Sequence, residues 1–193
     1  MKKPDDIKDR IIAATTELIT AGSGTVEEIT TRAIAERAQV GVGLVNYHFQ
    51  TKENLIELCV QRIISNVIAK FKPPEKKSLS CIERLQAVAK AVADFLAENP
   101  SVSRISILGD YNRPQASDNT MKAVQGFMNS LQGADLSEST QKILMFELVS
   151  ILQAAFLRRD LSKELWGYDF NCKPERDRFI DLAVEGLMKG WVG

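Results

Sequence analysis

Two short stretches of helical spacing, residues 30–38 and 42–49, separated by Gln39-Val40-Gly41, constrain this chain more than any other feature. In the first, Thr30 and Thr31 suit an N-cap, and Ile34, Ala35 and Ala38 share one face. In the second, Val45 and Phe49 face inward, which leaves Val42, Gly43, Leu44, Asn46, Tyr47 and His48 outward. A longer amphipathic segment braces the pair on each side. Ile7, Ile11, Ala14 and Leu18 form the stripe of a preceding helix, with Pro4 near its first turn and Gly22 past its end. A following helix starts near Thr51-Lys52-Glu53 and carries Leu55, Ile56, Cys59, Ile63, Val67 and Phe71 until Pro73-Pro74 stops it. Such a unit can lay its second short helix in a DNA major groove.

The rest of the chain is also helical by periodicity. Lys72-Pro73-Pro74-Glu75-Lys76-Lys77 is the clearest break and is taken as the domain boundary; its lysines look like a DNA patch, but a solvated loop is the commoner meaning of such a run. Ser80-Cys81-Ile82-Glu83 has capping-box form and opens a helix through Leu85, Val88, Val92, Phe95 and Leu96, ended by Asn99-Pro100. A further helical piece reaches about Leu108, residues 109–114 read as loop, and a helix covers roughly 119–131. Residues 137–159 form a long helix apolar on more than one face, and Pro174 opens a last helix through Trp191. With no alternating strand pattern, the expected fold is all-α: a three-helix helix-turn-helix head over 1–55, helix four (52–71) as its link, and a C-terminal domain over 72–193.

Charge narrows the function. Lys+Arg and Asp+Glu are both 25, so no global basic field announces a nucleic acid, and residues 1–55 carry seven basic and eight acidic residues. DNA reading must therefore be local, with few phosphate contacts and moderate salt sensitivity. Cys59, Cys81 and Cys172 lack any C-x-x-C pairing and are expected to be reduced thiols. His48 is the single histidine, so a histidine-based metal site or catalytic triad would rest on it alone. The expectations are no metal, no cofactor and no enzymatic activity. The opening Met1-Lys2-Lys3-Pro4 leads into an amphipathic segment, and no apolar run approaches the ~18 residues of a membrane span. The protein is expected to be soluble, cytoplasmic and without a membrane partner.

The pattern Thr30-Thr31-Arg32-x-Ile34-Ala35-x-x-Ala38-x-Val40-x-x-Gly43-x-x-x-Tyr47-His48-Phe49-x-x-Lys52-Glu53-x-Leu55 resembles the signature of the TetR family of transcriptional regulators, over about residues 7–60. Two features depart from it: Gln39 stands where the family has glycine, and residues 21–28 form a longer loop. The resemblance implies an all-α homodimer with two DNA-binding heads and a C-terminal domain whose small-molecule effector controls their spacing on a pseudo-palindromic operator. It implies that Thr30, Thr31 and Arg32 meet backbone and a base edge, and that Tyr47, His48 and Lys52 hold phosphates. Val42 and Gly43 then permit close approach, and Leu44 and Asn46 read bases.

In the C-terminal half, Arg104, Tyr111, Phe127, Met128, Phe146, Gln153, Trp166 and Tyr168 are types that line an effector pocket or fill an ordinary core. Helices 137–159 and 174–191 carry surplus apolar surface, which suits either a homodimer interface or wrapping of the pocket. The leading function is a ligand-responsive repressor. A helical ligand-binding or interaction module without specific DNA binding is the alternative, and a small helical enzyme is disfavoured.

Overall fold

A computed structural model describes residues 4–70 and 79–191, with side chains over 6–66 and 79–191. In chain order the helices are α1 (Pro4–Ala21), α2 (Thr31–Ala38), α3 (Val42–Phe49), α4 (Lys52–Lys70), α5 (Cys81–Glu98), α6 (Pro100–Asn112), α7 (Asn119–Met128), α8 (Glu138–Leu157), α9 (Ser162–Trp166) and α10 (Lys173–Met188). Short 3-10 turns occupy Val26–Glu28, Asn129–Leu131 and Arg159–Leu161. No strand occurs among the described residues. The expected proline-bearing break at 72–77, and the side chains of Val67 and Phe71, lie outside them.

The chain divides into two units, 1–71 with 99–112, and 72–98 with 113–193. In the first, Ile11, Ile19, Ile34, Ala38, Val45, Phe49, Leu55 and Cys59 form a shared apolar core. Ile34, Ala35, Ala38, Val45 and Phe49, the inward residues of the helix-turn-helix pattern, are all buried in it, and Val40 in the turn between the two helices is half-buried. Burial raises the Cys59 thiol above its ordinary range against the opposing effects of a hydrogen bond with Thr16 and the charge of Arg62, so it behaves as a small hydrophobe.

Two expectations are revised here. Residues 99–112 group with the head rather than with the C-terminal domain, because α6 packs on α1 and α4 and places Val102 and Ile105 in the head core. Gly109 to Asn112, read as loop, are the last turn of α6. The glycine costs a helix about 1 kcal/mol, which tertiary packing of the same helix readily outweighs.

In the second unit α5 buries Leu85, Ala89, Ala93 and Leu96, and α10, which packs on α5, buries Ile180, Val184 and Met188. The capping box forms as written: Ser80 N donates to Glu83 Oε2 (2.8 Å) and Glu83 N to Ser80 Oγ (3.2 Å). α8 packs on α7, α5 and α10 with Leu144, Met145, Leu148, Val149, Leu152 and Phe156 buried. By length and mean hydropathy α8 could cross a membrane, contrary to expectation, but these side chains are spent on a protein core.

Residues 159–171 hold an element that periodicity missed. Buried Ser162 donates to Arg159 O (2.6 Å) and accepts from Phe170 N (2.8 Å), clasping a loop that drives Phe170 into the core. Arg176 then donates to Phe170 O (2.8 Å) and stands over its ring.

Candidate nucleic-acid interface

α2 begins where Thr30, in extended conformation, accepts from Ala33 N at 3.1 Å, so its hydroxyl is a helix cap. Thr31 and Arg32 follow in the first turn. Arg32 is exposed and makes no hydrogen bond or ion pair among the described residues, which leaves its guanidinium available for a partner. Arg37, one turn on, is engaged by Glu17 at 3.0 Å.

α2 ends at Gln39, which takes the left-handed conformation (φ 54°, ψ 48°) that the family's glycine adopts without cost. The carbonyls exposed by that turn are met from α1: the Arg10 guanidinium donates to Ala38 O and to Gln39 O (3.0 Å). A cation here also opposes the negative end of the α2 dipole. Nothing in the apolar spacing of α1 marks Arg10, since a charge on its polar face reads as merely solvated.

α3 turns Val45 and Phe49 inward and leaves Val42, Gly43, Leu44, Asn46 and Tyr47 exposed, with His48 half-buried. Tyr47 is 80% exposed and meets the His48 ring edge-on at 5.1 Å. Three apolar side chains and an amide on two turns of solvent-facing helix are a poor arrangement for a free surface and a good one for reading base edges. A Cβ built on Gly43 would meet nothing within 4 Å, so nothing inside the protein requires glycine there.

α3 closes in a tight reversal. Thr51 N donates to Phe49 O at 2.8 Å around Gln50, whose φ of 66° and ψ of −57° are those of a classic γ-turn. That reversal sets the start of α4, where Lys52 is held by protein groups: Nζ donates to Val26 O and Ile29 O, both at 3.2 Å. Of the ten side chains expected at DNA, nine therefore gather at the α2 N-terminus or on α3, and Lys52 is turned to the loop before α2.

The expected effector side chains divide between the two units. Arg104 and Tyr111 stand on α6 in the first unit, where Arg104 packs against Gly24 and Tyr111 is exposed. In the second unit Phe127 is buried, Gln153 donates to Thr120 Oγ1 (2.9 Å), Phe146 is exposed and Trp166 lies on Phe179. Met128 and Tyr168 are half-buried.

Residues 11–59 match the family model for bacterial regulatory proteins of the tetR family. An HTH-type transcriptional regulator of Haemophilus influenzae is 25% identical over 175 residues, covering 88% of this chain and 89% of its own. A tetR-family transcriptional regulator from Streptomyces coelicolor has a similar fold (TM-score 0.64, 19% identity, 98% of this chain and 82% of that one). So does a TetR-like transcriptional regulator from Rhodococcus sp. RHA1 (TM-score 0.63, 13% identity, 95% and 96%).

Proposed function

The chain belongs to the TetR family of bacterial regulatory proteins and is a DNA-binding transcriptional regulator, and on that premise we propose that it is a cytoplasmic repressor released from a pseudo-palindromic operator by a small molecule. The observation that carries the DNA reading is the outward face of α3, apolar and glycine-bearing where no packing within the protein calls for it. Thr31 and Arg32 of α2 and Tyr47 and His48 of α3 fix the head on phosphates and one base edge, and Leu44 and Asn46 read bases. The Thr30 hydroxyl holds the α2 N-terminus in shape for those contacts.

A symmetric dimer through α8 and α10 sets two heads on successive major grooves, about 34–36 Å apart. Ile143, Phe146 and Ile151 on α8 and Leu182 on α10 are large, apolar and exposed, which supports that assignment. The effector half is the second unit, with Phe127 and Gln153 its inward candidates; an effector releases DNA only as far as it prefers the mis-spaced shape.

Selection of duplexes from a random-sequence pool with the purified chain tests the reading. Enrichment of an inverted repeat, bound by two protomers and lost in Asn46→Ala and Tyr47→Ala, is expected. Recovery of no sequence above background would move the assignment to a ligand-binding or interaction module without specific DNA binding.

A further inference from the structure

We propose that α3 reads A·T pairs: Val42 and Leu44 pack on thymine methyl groups, Asn46 pairs with an adenine edge, and guanine in the half-site is left to Arg32 of α2. This names the base class that the head selects and rests on the DNA-reading function above.

The side-chain inventory of α3 carries the argument. Between Val42 and Phe49 there is no arginine, lysine, aspartate or glutamate. In the major groove guanine offers two acceptors, N7 and O6, matched best by arginine or lysine, and cytosine offers the N4 donor, which a carboxylate accepts. Neither complement stands on the helix that enters the groove. In such a motif the N-terminal residues of that helix meet the base edges, and Tyr47 and His48, in the C-terminal half of α3, are assigned to phosphates. What the N-terminal half presents is two aliphatic side chains and one primary amide.

Each of these has a matching partner. Val42 is 43% exposed and Leu44 38% exposed, and neither has a polar atom to satisfy. The C5-methyl of thymine is the apolar group that base pairs show in the major groove. Asn46 is exposed and its amide makes no hydrogen bond among the described residues, so its oxygen and its NH2 can engage adenine N6 and N7 together. Val42 and Asn46, four residues apart, are neighbours on one flank of the helix, whereas Leu44 points about 200° around the axis from Val42. Gly43 lies between the flanks, with nothing within 4 Å of the position its Cβ would take, so the backbone can settle toward the bases and bring both flanks within reach. The contacts therefore fall on separate pairs: an adenine and a thymine side by side under Asn46 and Val42, and a second thymine under Leu44. Arg32, the single cation among the side chains assigned to base edges, stands on α2.

The test uses the full-length protein and the duplex enriched by selection. In one half-site each thymine is exchanged in turn for deoxyuridine, which removes only the methyl group, and each adenine for 7-deazaadenine, which removes only the N7 acceptor. Affinity is measured for wild type, Val42→Ala, Leu44→Ala and Asn46→Ala. Two deoxyuridine positions should each weaken wild-type binding about fourfold, the worth of one buried methyl group. One of them becomes silent in Leu44→Ala and the other in Val42→Ala. One 7-deazaadenine position should cost about tenfold and become silent in Asn46→Ala. Wild-type binding indifferent to every deoxyuridine exchange, sensitivity that persists in all three variants, or an enriched half-site whose α3-contacted pairs are G·C overturns the assignment. The base exchanges are read on the unaltered protein, so a variant that fails to fold cannot produce either result by itself. Failure of the wild-type chain to enrich any duplex strikes the DNA-reading function itself, an outcome distinct from enrichment of a G·C half-site.

Discussion

Arg176 on α10 donates from Nη2 to Asp94 Oδ1 on α5 at 2.7 Å, with the arginine side chain only 5% exposed. Lys173 reaches the other oxygen of Asp94 at 2.6 Å, Lys90 meets Asp181 at 2.6 Å, and Gln86 donates to Glu185 at 3.4 Å. These pairs run in opposite order along the two helices, so they set an antiparallel register for the Ala89–Ala93 seam. Asp94→Ala strands the buried guanidinium, and breaking a buried pair from one side costs about 3 kcal/mol or more. Chemical denaturation should show that loss in the second unit, whereas Lys90→Ala, at a partly exposed pair, should cost less.

The same carboxylate makes stability depend on acid. Burial pushes the Asp94 carboxyl up, but hydrogen bonds from Arg176 and Lys173 outweigh it and hold it below the usual range. Its stabilisation is therefore complete above the ordinary aspartate value near 4 and is lost as pH falls toward the lower folded value. Asp94→Asn should remove that part of the acid dependence in melts between neutral pH and pH 3; an unaltered profile would exclude Asp94 as its source.

Gly43→Ala should separate stability from function. With free space for the methyl group, the head gains about 0.5–1 kcal/mol from better helix propensity. Operator affinity should fall in the same protein, because the methyl occupies the approach to the bases. Equal or better DNA binding would mean that Gly43 does not face the groove.

Gln39 and Gln50 both hold positive φ without being glycine. Relieving a left-handed L-residue is worth about 1–2 kcal/mol, so Gln39→Gly should raise the melting temperature of the head. Gln50→Gly should do the same by easing the γ-turn. Arg10→Ala removes the donors that satisfy Ala38 O and Gln39 O at that turn and should destabilise the head by about 1 kcal/mol.

Gly24 is the opposite case. Its φ is +85° and an added Cβ would lie 3.0 Å from Ser101 Cα and 3.1 Å from the Arg104 side chain. Backbone cannot yield as a side-chain tip can, so Gly24→Ala should destabilise the first unit by about 1–3 kcal/mol. Ser101 Oγ also donates to Gly22 O, and Ser101→Ala should weaken the same junction by less.

The head was legible because each of its helices carries its own code. Ile34, Ala35, Ala38, Val45 and Phe49 repeat at helical spacing, and the same residues are those buried. Thr30 and Ser80 read as caps from residue type and spacing, and each accepts the amide three residues on. These signals are local, since hydrophobic period and side-chain capping depend on neighbours within about one turn.

The partners of Arg10, Lys52 and Arg176 were settled only in three dimensions. Each lies far along the chain from the carbonyls or carboxylate it meets, and a cation on a polar helix face has no period to betray its target. The placement of α6 with the head and the clasp of Ser162 on Phe170 are of the same kind. Such contacts arise from packing between elements distant in sequence, where directional hydrogen bonds to backbone oxygens choose among side chains that composition leaves equivalent.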